Sequence, residues 1–169
     1  MVVKISALTD LAAVPADDDY IPILDTSASA TKKVAYKKVM KGYEKLIQLK
    51  ILDDATLLTT GDGKLIFCIP SELNGMNLTG AQAYLTTVAT GATLVNISIY
   101  NLTDSVDMLS TPITIDASEF TSYTAATPPV IDTTKDDVAT ADRLEINIDA
   151  VGNTTAGKGL GVLLTFQLP

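Results

Sequence analysis

A mainly β chain, built as a sandwich or jelly roll with an N-terminal arm and one short amphipathic helix, is the architecture this sequence predicts. Three observations lead there. Val, Ile, Leu, Ala and Thr supply the bulk, while aromatics are only 5% and Trp is absent, a mix that favours strands. Apolar and polar residues alternate over Val95–Tyr100 and Leu144–Asp149, the period of a strand with one buried face. Gly, Pro, Asn and Asp clusters punctuate the chain at short intervals, as turns between many strands require.

The elements follow in order. Leu8–Val14 has the pattern for one or two helical turns, interrupted by Pro15 and Asp17-Asp18-Asp19. Tyr20–Leu24 reads as an edge strand, because Pro22 cannot donate to a central ladder. Thr26–Thr31 is a turn of small residues, and Lys32–Tyr36 extends again. Val39, Met40, Tyr43, Leu46 and Ile47 then follow helical spacing, which predicts a helix near 37–49, weakened by Gly42. Those five residues are expected to pack the helix on its own domain or on neighbours. Beyond Asp53-Asp54 the expected strands are Ala55–Thr60, Lys64–Ile69, Thr79–Val88, Thr93–Tyr100, Ser110–Ile115, Arg143–Ala150 and Gly159–Gln167. Gly61-Asp62-Gly63 is expected as a hairpin turn. Asp116–Ala141 is left as one long loop. The domain organisation predicted is an arm and helix over 1–52 and a β domain over 53–169.

Charge divides the chain at the same place. Seven of eleven lysines lie between Lys32 and Lys50; residues 1–52 carry a net +2 and residues 53–169 a net −10, giving the −8 of the whole. Such asymmetry speaks to partners rather than to fold. It suggests a basic attachment piece joined to an acidic display domain. Lys32, Lys33, Lys37, Lys38, Lys41 and Lys45 are the candidate anchoring residues, facing an acidic protein surface. Nucleic acid is not an expected partner, because the chain as a whole repels phosphate at range. No run reaches the length of a membrane span, and the N-terminus lacks the pattern of a signal peptide. Charged residues make up 19%, low for a soluble monomer, so apolar surface is expected to be buried between copies.

Catalytic chemistry has little to work with. The chain has no histidine and one cysteine, which removes Ser-His-Asp and Cys-His arrangements and ordinary structural zinc sites. No cofactor, metal site or catalytic residue is expected. Cys68, inside Leu65–Ile69, is expected as a buried, inert thiol. Gly157–Gly161 lacks phosphate-loop spacing and reads as the approach to the last strand. Asp132, Asp136, Asp137 and Asp142 cluster around the long loop, without the spacing of a calcium-binding hand. Asn-x-Ser/Thr sites begin at Asn77, Asn96, Asn101 and Asn153, with chance as their default explanation.

Two sets of residues carry a resemblance. Lys4-Ile5-Ser6-Ala7-Leu8, Asp19–Asp25 and Thr31-Lys32-Lys33-Val34 together resemble the N-terminal segment of many tailed-phage fibre and virion proteins. Gly61–Lys64, Phe67, Ile69-Pro70, Leu73–Gly75, Asn77-Leu78, Gly159-Leu160, Phe166 and Pro169 resemble small jelly-roll domains of phage particles, which commonly form trimers. The resemblance implies a non-enzymatic virion protein made in the host cytoplasm. Its expected role is a trimeric capsid decoration or cement protein, held by its N-terminal arm on the major capsid protein or another virion protein. The alternative implied is a tail- or fibre-associated adsorption protein, with Asp116–Ala141 and Tyr123 touching a host glycan or receptor.

Overall fold

The computed structural model describes residues 20–25, 30–35, 39 and 43–169. The chain divides into two compact units, Met1–Tyr43 and Glu44–Pro169. In the first, β1 (Tyr20–Asp25) and β2 (Ala30–Ala35) form an antiparallel hairpin. Pro22 sits in this two-stranded ribbon, as expected of an edge. The helical turns over Leu8–Val14 and most of the turn over Thr26–Thr31 lie outside the described residues.

The second unit is mainly β and antiparallel throughout. Its strands are β3 (Glu44–Lys50), β4 (Gly61–Cys68), β5 (Met76–Thr87), β6 (Val95–Asn101), β7 (Val106–Asp107), β8 (Leu109–Thr111), β9 (Ile113–Ile115), β10 (Val130–Ile131), β11 (Asp137–Val138), β12 (Arg143–Ala150) and β13 (Lys158–Gln167). One sheet has the order β11-β5-β13-β3; a second runs β4-β12-β6-β7, with β9 also on β6, and β10 pairs with β8 in a two-stranded ribbon. The pairing is nested: β3 with β13, β4 with β12, β5 with β11 and β6 with β9. Each early strand therefore takes its partner from the mirror-image position late in the chain.

Alternation explains the core. Val95, Ile97 and Ile99 of β6, Leu144 and Ile146 of β12, and Val162, Leu164 and Phe166 of β13 have no exposed surface. On β5 the inward set is Met76, Leu78, Ala81, Ala83 and Leu85. Its period slips by one because the register shifts where Thr165 faces Gly80 and Phe166 faces Leu78, leaving Thr79 as the extra residue of a bulge. Ala81 and Ala83 pair with Leu164 and Val162, small against large. Residues from both sheets close a single apolar cluster.

Several expectations are corrected here. No helix of seven or more residues occurs among the described residues; the stretch 44–50, expected as helix, is an edge strand. Its apolar residues fit both periods when read locally, but seven consecutive pairs with β13 bury Ile47 and Leu49 on alternate positions. Of the five residues assigned to helix packing, Val39, Tyr43 and Leu46 are exposed, Ile47 packs partly against the core, and Met40 lies outside the described residues. Gly61-Asp62-Gly63 opens β4 rather than turning a hairpin. Ala55–Thr60 forms no strand, only a bridge from Leu57 to Lys158. The expected long loop contains β10, β11 and a 3-10 turn over Ser122–Thr124.

Cys68 is exposed, against expectation. In β4 the side chains of Leu65 and Phe67 turn partly inward, so Ile66 and Cys68 turn out; a continuous apolar run hides this alternation from a sequence reading. The native protein should therefore release one equivalent of thionitrobenzoate from a disulfide thiol reagent without denaturant. Reaction only after unfolding would contradict the placement.

Gly161 is required for a different reason. A Cβ there would lie 2.2 Å from the Tyr84 ring, which crosses β13 so that its hydroxyl accepts from Gln48 Nε2 at 2.8 Å. Gly161→Ala should cost about 1–3 kcal/mol through overpacking. Adding Tyr84→Ala should recover most of that in chemical denaturation, and additive losses would show that the ring is not the obstacle.

Candidate functional site

A concavity lies on the outer face of the β4-β12-β6-β7 sheet. Register assembles it. On that face Glu145 pairs with Tyr100 and Asn147 with Ser98 across β12 and β6, while Tyr100 pairs with Asp107 of β7. Asp62, Leu102 and Asp149 complete the lining, and the cavity volume is about 300 Å³, at the small end of ligand pockets.

A single backbone group organises its floor. The Gly63 N–H donates to Glu145 Oε1 at 2.9 Å and to Asn147 Oδ1 at 2.8 Å. Gly63 has φ +62°, a left-handed conformation suited to glycine, and this presents its N–H to both acceptors. The start of β4 thus lies across the outer face of β12, leaving Glu145 and Asn147 only 9% and 8% exposed. Alternation alone had assigned those two positions to a wet face. The site offers carboxylate and amide acceptors beside a half-buried aromatic ring. It is suited to hydrogen-bonding a hydroxyl-rich or cationic group.

The anchoring lysines fall in different places. Lys32 and Lys33 are exposed on β2, and the Lys33 ammonium sits 4.0 Å from the centroid of the Tyr20 ring, within cation–π range. Lys45 lies on β3 in the second unit, where its ammonium donates to the Glu72 carbonyl. Lys37, Lys38 and Lys41 lie outside the described residues. Lys50, also in the basic cluster, is ion-paired with Asp54 at 3.2 Å and Asp53 at 3.6 Å; its hydrogen bond to Asp54 is the main cause that raises its pKa.

The carboxylates around the long loop hold the fold locally, one against β5 and one within a turn. Asp136 Oδ1 accepts from Asn77 Nδ2, and Asp142 Oδ2 from the Ala139 N–H. Among the described residues no three acidic or cysteine side chains converge as metal ligands. Asn101, the first residue of one Asn-x-Ser/Thr site, has no exposed surface and locks its own turn through Thr103 and Asp104. Tyr123 is 69% exposed, with Phe120 at 56% on the same segment; that segment runs beside β5, with Thr121 bridging to Tyr84. Gly157–Gly161 leads into β13 with no helix after it.

Comparison with protein-family models, curated proteins and solved structures returns no match.

Asp132 gives a pH test of the loop. Hydrogen bonds from Thr134 and the Lys135 ammonium hold its carboxyl at about 2, below the ordinary value. A folded-state value depressed in this way stabilises the fold above the unfolded-state value. That contribution is lost as pH falls from about 4 toward about 2. Carbon-detected NMR titration should show this carboxyl still ionised at pH 3, and Asp132→Asn should remove its share of the acid-induced loss of stability. Titration of Asp132 near pH 4 would contradict the geometry.

Proposed function

We propose that this chain is a non-enzymatic structural protein of a tailed-phage particle, best read as a capsid decoration or cement protein. The first unit attaches and the second is displayed. The observation that carries this is the nested strand pairing. Taking β3, β4, β5, β6, β9, β11, β12 and β13 as strands one to eight, the pairs are one with eight, two with seven, three with six and four with five. Folding such a ladder of pairs into two sheets that share one core produces a jelly roll, an architecture of viral capsid and lectin domains. The division at Tyr43/Glu44 supports an attachment piece distinct from the displayed domain.

In this reading Lys32, Lys33, Lys37, Lys38 and Lys41 of the first unit contact an acidic capsid surface, most directly the major capsid protein, and the assembly is the trimer that the resemblance implies; Lys45, on β3 of the second unit and engaged with the Glu72 carbonyl, falls outside that set. Many modest contacts repeated by symmetry then resist expansion of the shell. Immunogold labelling of gradient-purified particles from a lytic culture should decorate heads. Unlabelled particles would overturn the proposal. Lys32→Glu with Lys33→Glu should weaken attachment about tenfold at low salt and less at high salt; attachment indifferent to both changes would remove the electrostatic part.

The groove favours a second reading, an adsorption protein that binds a host glycan. Tyr100, Asn147 and Glu145 supply the stacking face and acceptors that sugar hydroxyls need. A glycan array probed with the purified protein should then give hits that Tyr100→Ala abolishes, and labelling would fall on tails rather than heads.

A further inference from the structure

We propose that two copies of this chain pair through the edge strand β3, antiparallel about a two-fold axis at Ile47, extending the four-stranded sheet across both molecules. This goes beyond the virion reading, which names a trimer and a partner on the particle but no residues through which copies meet.

The edge is open. β3 ends its sheet, with β13 on one side and no strand among the described residues on the other. An unpaired strand edge is a template for a further strand. Which groups face out follows from the ladder. Ile51 N–H donates to the Leu160 carbonyl at 2.8 Å, so by antiparallel alternation Leu49, Ile47 and Lys45 also bond to β13. Glu44, Leu46, Gln48 and Lys50 then direct their backbone groups outward.

The sequence of that edge is self-complementary. Centring the two-fold on Ile47 pairs Glu44 with Lys50 of the second copy, Leu46 with Gln48, and Ile47 with itself. Every outward-facing residue meets another outward-facing residue, giving about eight backbone hydrogen bonds. Opposite charges face each other at both ends, and cross-strand pairs of this kind are favourable. Shifting the centre to Leu46 or Gln48 keeps the ladder but loses both charge pairs. Leu46, 64% exposed, gains cover in the paired state.

Two features compete and neither prevents pairing. Lysines commonly guard edges, but the Lys45 ammonium is drawn back to the Glu72 carbonyl of its own chain. Lys50 is held by Asp53 and Asp54, whose side chains are 88% and 70% exposed. Exposed pairs of this kind are weak.

The test is sedimentation equilibrium of the full chain and three variants. Wild type should form a dimer, or a hexamer where trimers are joined in pairs. Glu44→Lys alone and Lys50→Glu alone each place like charges opposite one another twice, and each should raise the dissociation constant about tenfold. Mixed together they should associate again, because the charge introduced in one variant then faces the opposite charge introduced in the other. Leu46→Pro removes an outward N–H while leaving the bonds to β13 intact, and should abolish pairing in a protein whose circular dichroism is unchanged. If that variant unfolds, the mixing experiment still decides. A wild-type monomer, or a trimer whose mass ignores all three substitutions, would overturn the proposal. A β3-dependent dimer that labels no particle would retain it and sink the virion reading instead.

Discussion

Both sheets depend on one constraint: the last two long strands must occupy their middles. β13 lies between β5 and β3, and β12 lies between β4 and β6. Their inward side chains, Leu144 and Ile146 on one and Val162, Leu164 and Phe166 on the other, are fully buried. Glu44 and Gln167, at opposite ends of the second unit, are cross-strand partners. Contacts of such long range delay folding more than they cost in stability, since closure entropy grows only with the logarithm of loop length. Neither sheet is complete until the C-terminal strands arrive.

The surface features follow from that closure. Glu145 and Asn147 belong to the central strand β12, so the same strand that completes the core supplies the floor of the outer groove. Gly63 reaches across to both of them, which ties the start of β4 to β12 beyond the register of the ladder. On the other sheet, β13 carries Gly161 beneath the Tyr84 ring, allowing the hydroxyl to reach Gln48 on β3. The outer surface of each sheet is thus braced from its centre toward its edge. β3 is an edge with no further strand among the described residues, and its order of side chains, from Glu44 to Lys50, suits a second copy of itself.

Much of the fold was legible because strands buried on one side announce themselves. β6, β12 and β13 sit within two residues of their expected places; in β6 and β12 the alternation of Val95, Ile97 and Ile99 and of Leu144, Ile146 and Ile148 is clean. β3 was misread for a physical reason: Val39, Met40, Tyr43, Leu46 and Ile47 satisfy helical spacing locally, and only pairing with residues more than a hundred positions away decides for a strand. Asp62-Gly63 carries a hairpin signal, but its chain continues into β4 and finds β12 instead. The groove had no sequence signature at all. Asn147 and Ser98, or Glu145 and Tyr100, become neighbours only through register, and Glu145 reads as a solvated residue until Gly63 is placed over it. Cys68 shows the converse, an apolar run in which half the side chains face water.

The functional reading joins these strands to the basic segment at the start of the chain. In the proposed reading the β domain, closed by its own last strands, is displayed, while charge and attachment are left to the segment before it. That account stands on the closing role of β12 and β13, and native-state hydrogen exchange through a denaturant series tests it most directly. The amides of both strands that face their ladder partners should exchange only through global unfolding, with one shared free energy. Opening of β13 or β12 in a separate event of much lower free energy, with the remaining strands still protected, would contradict it.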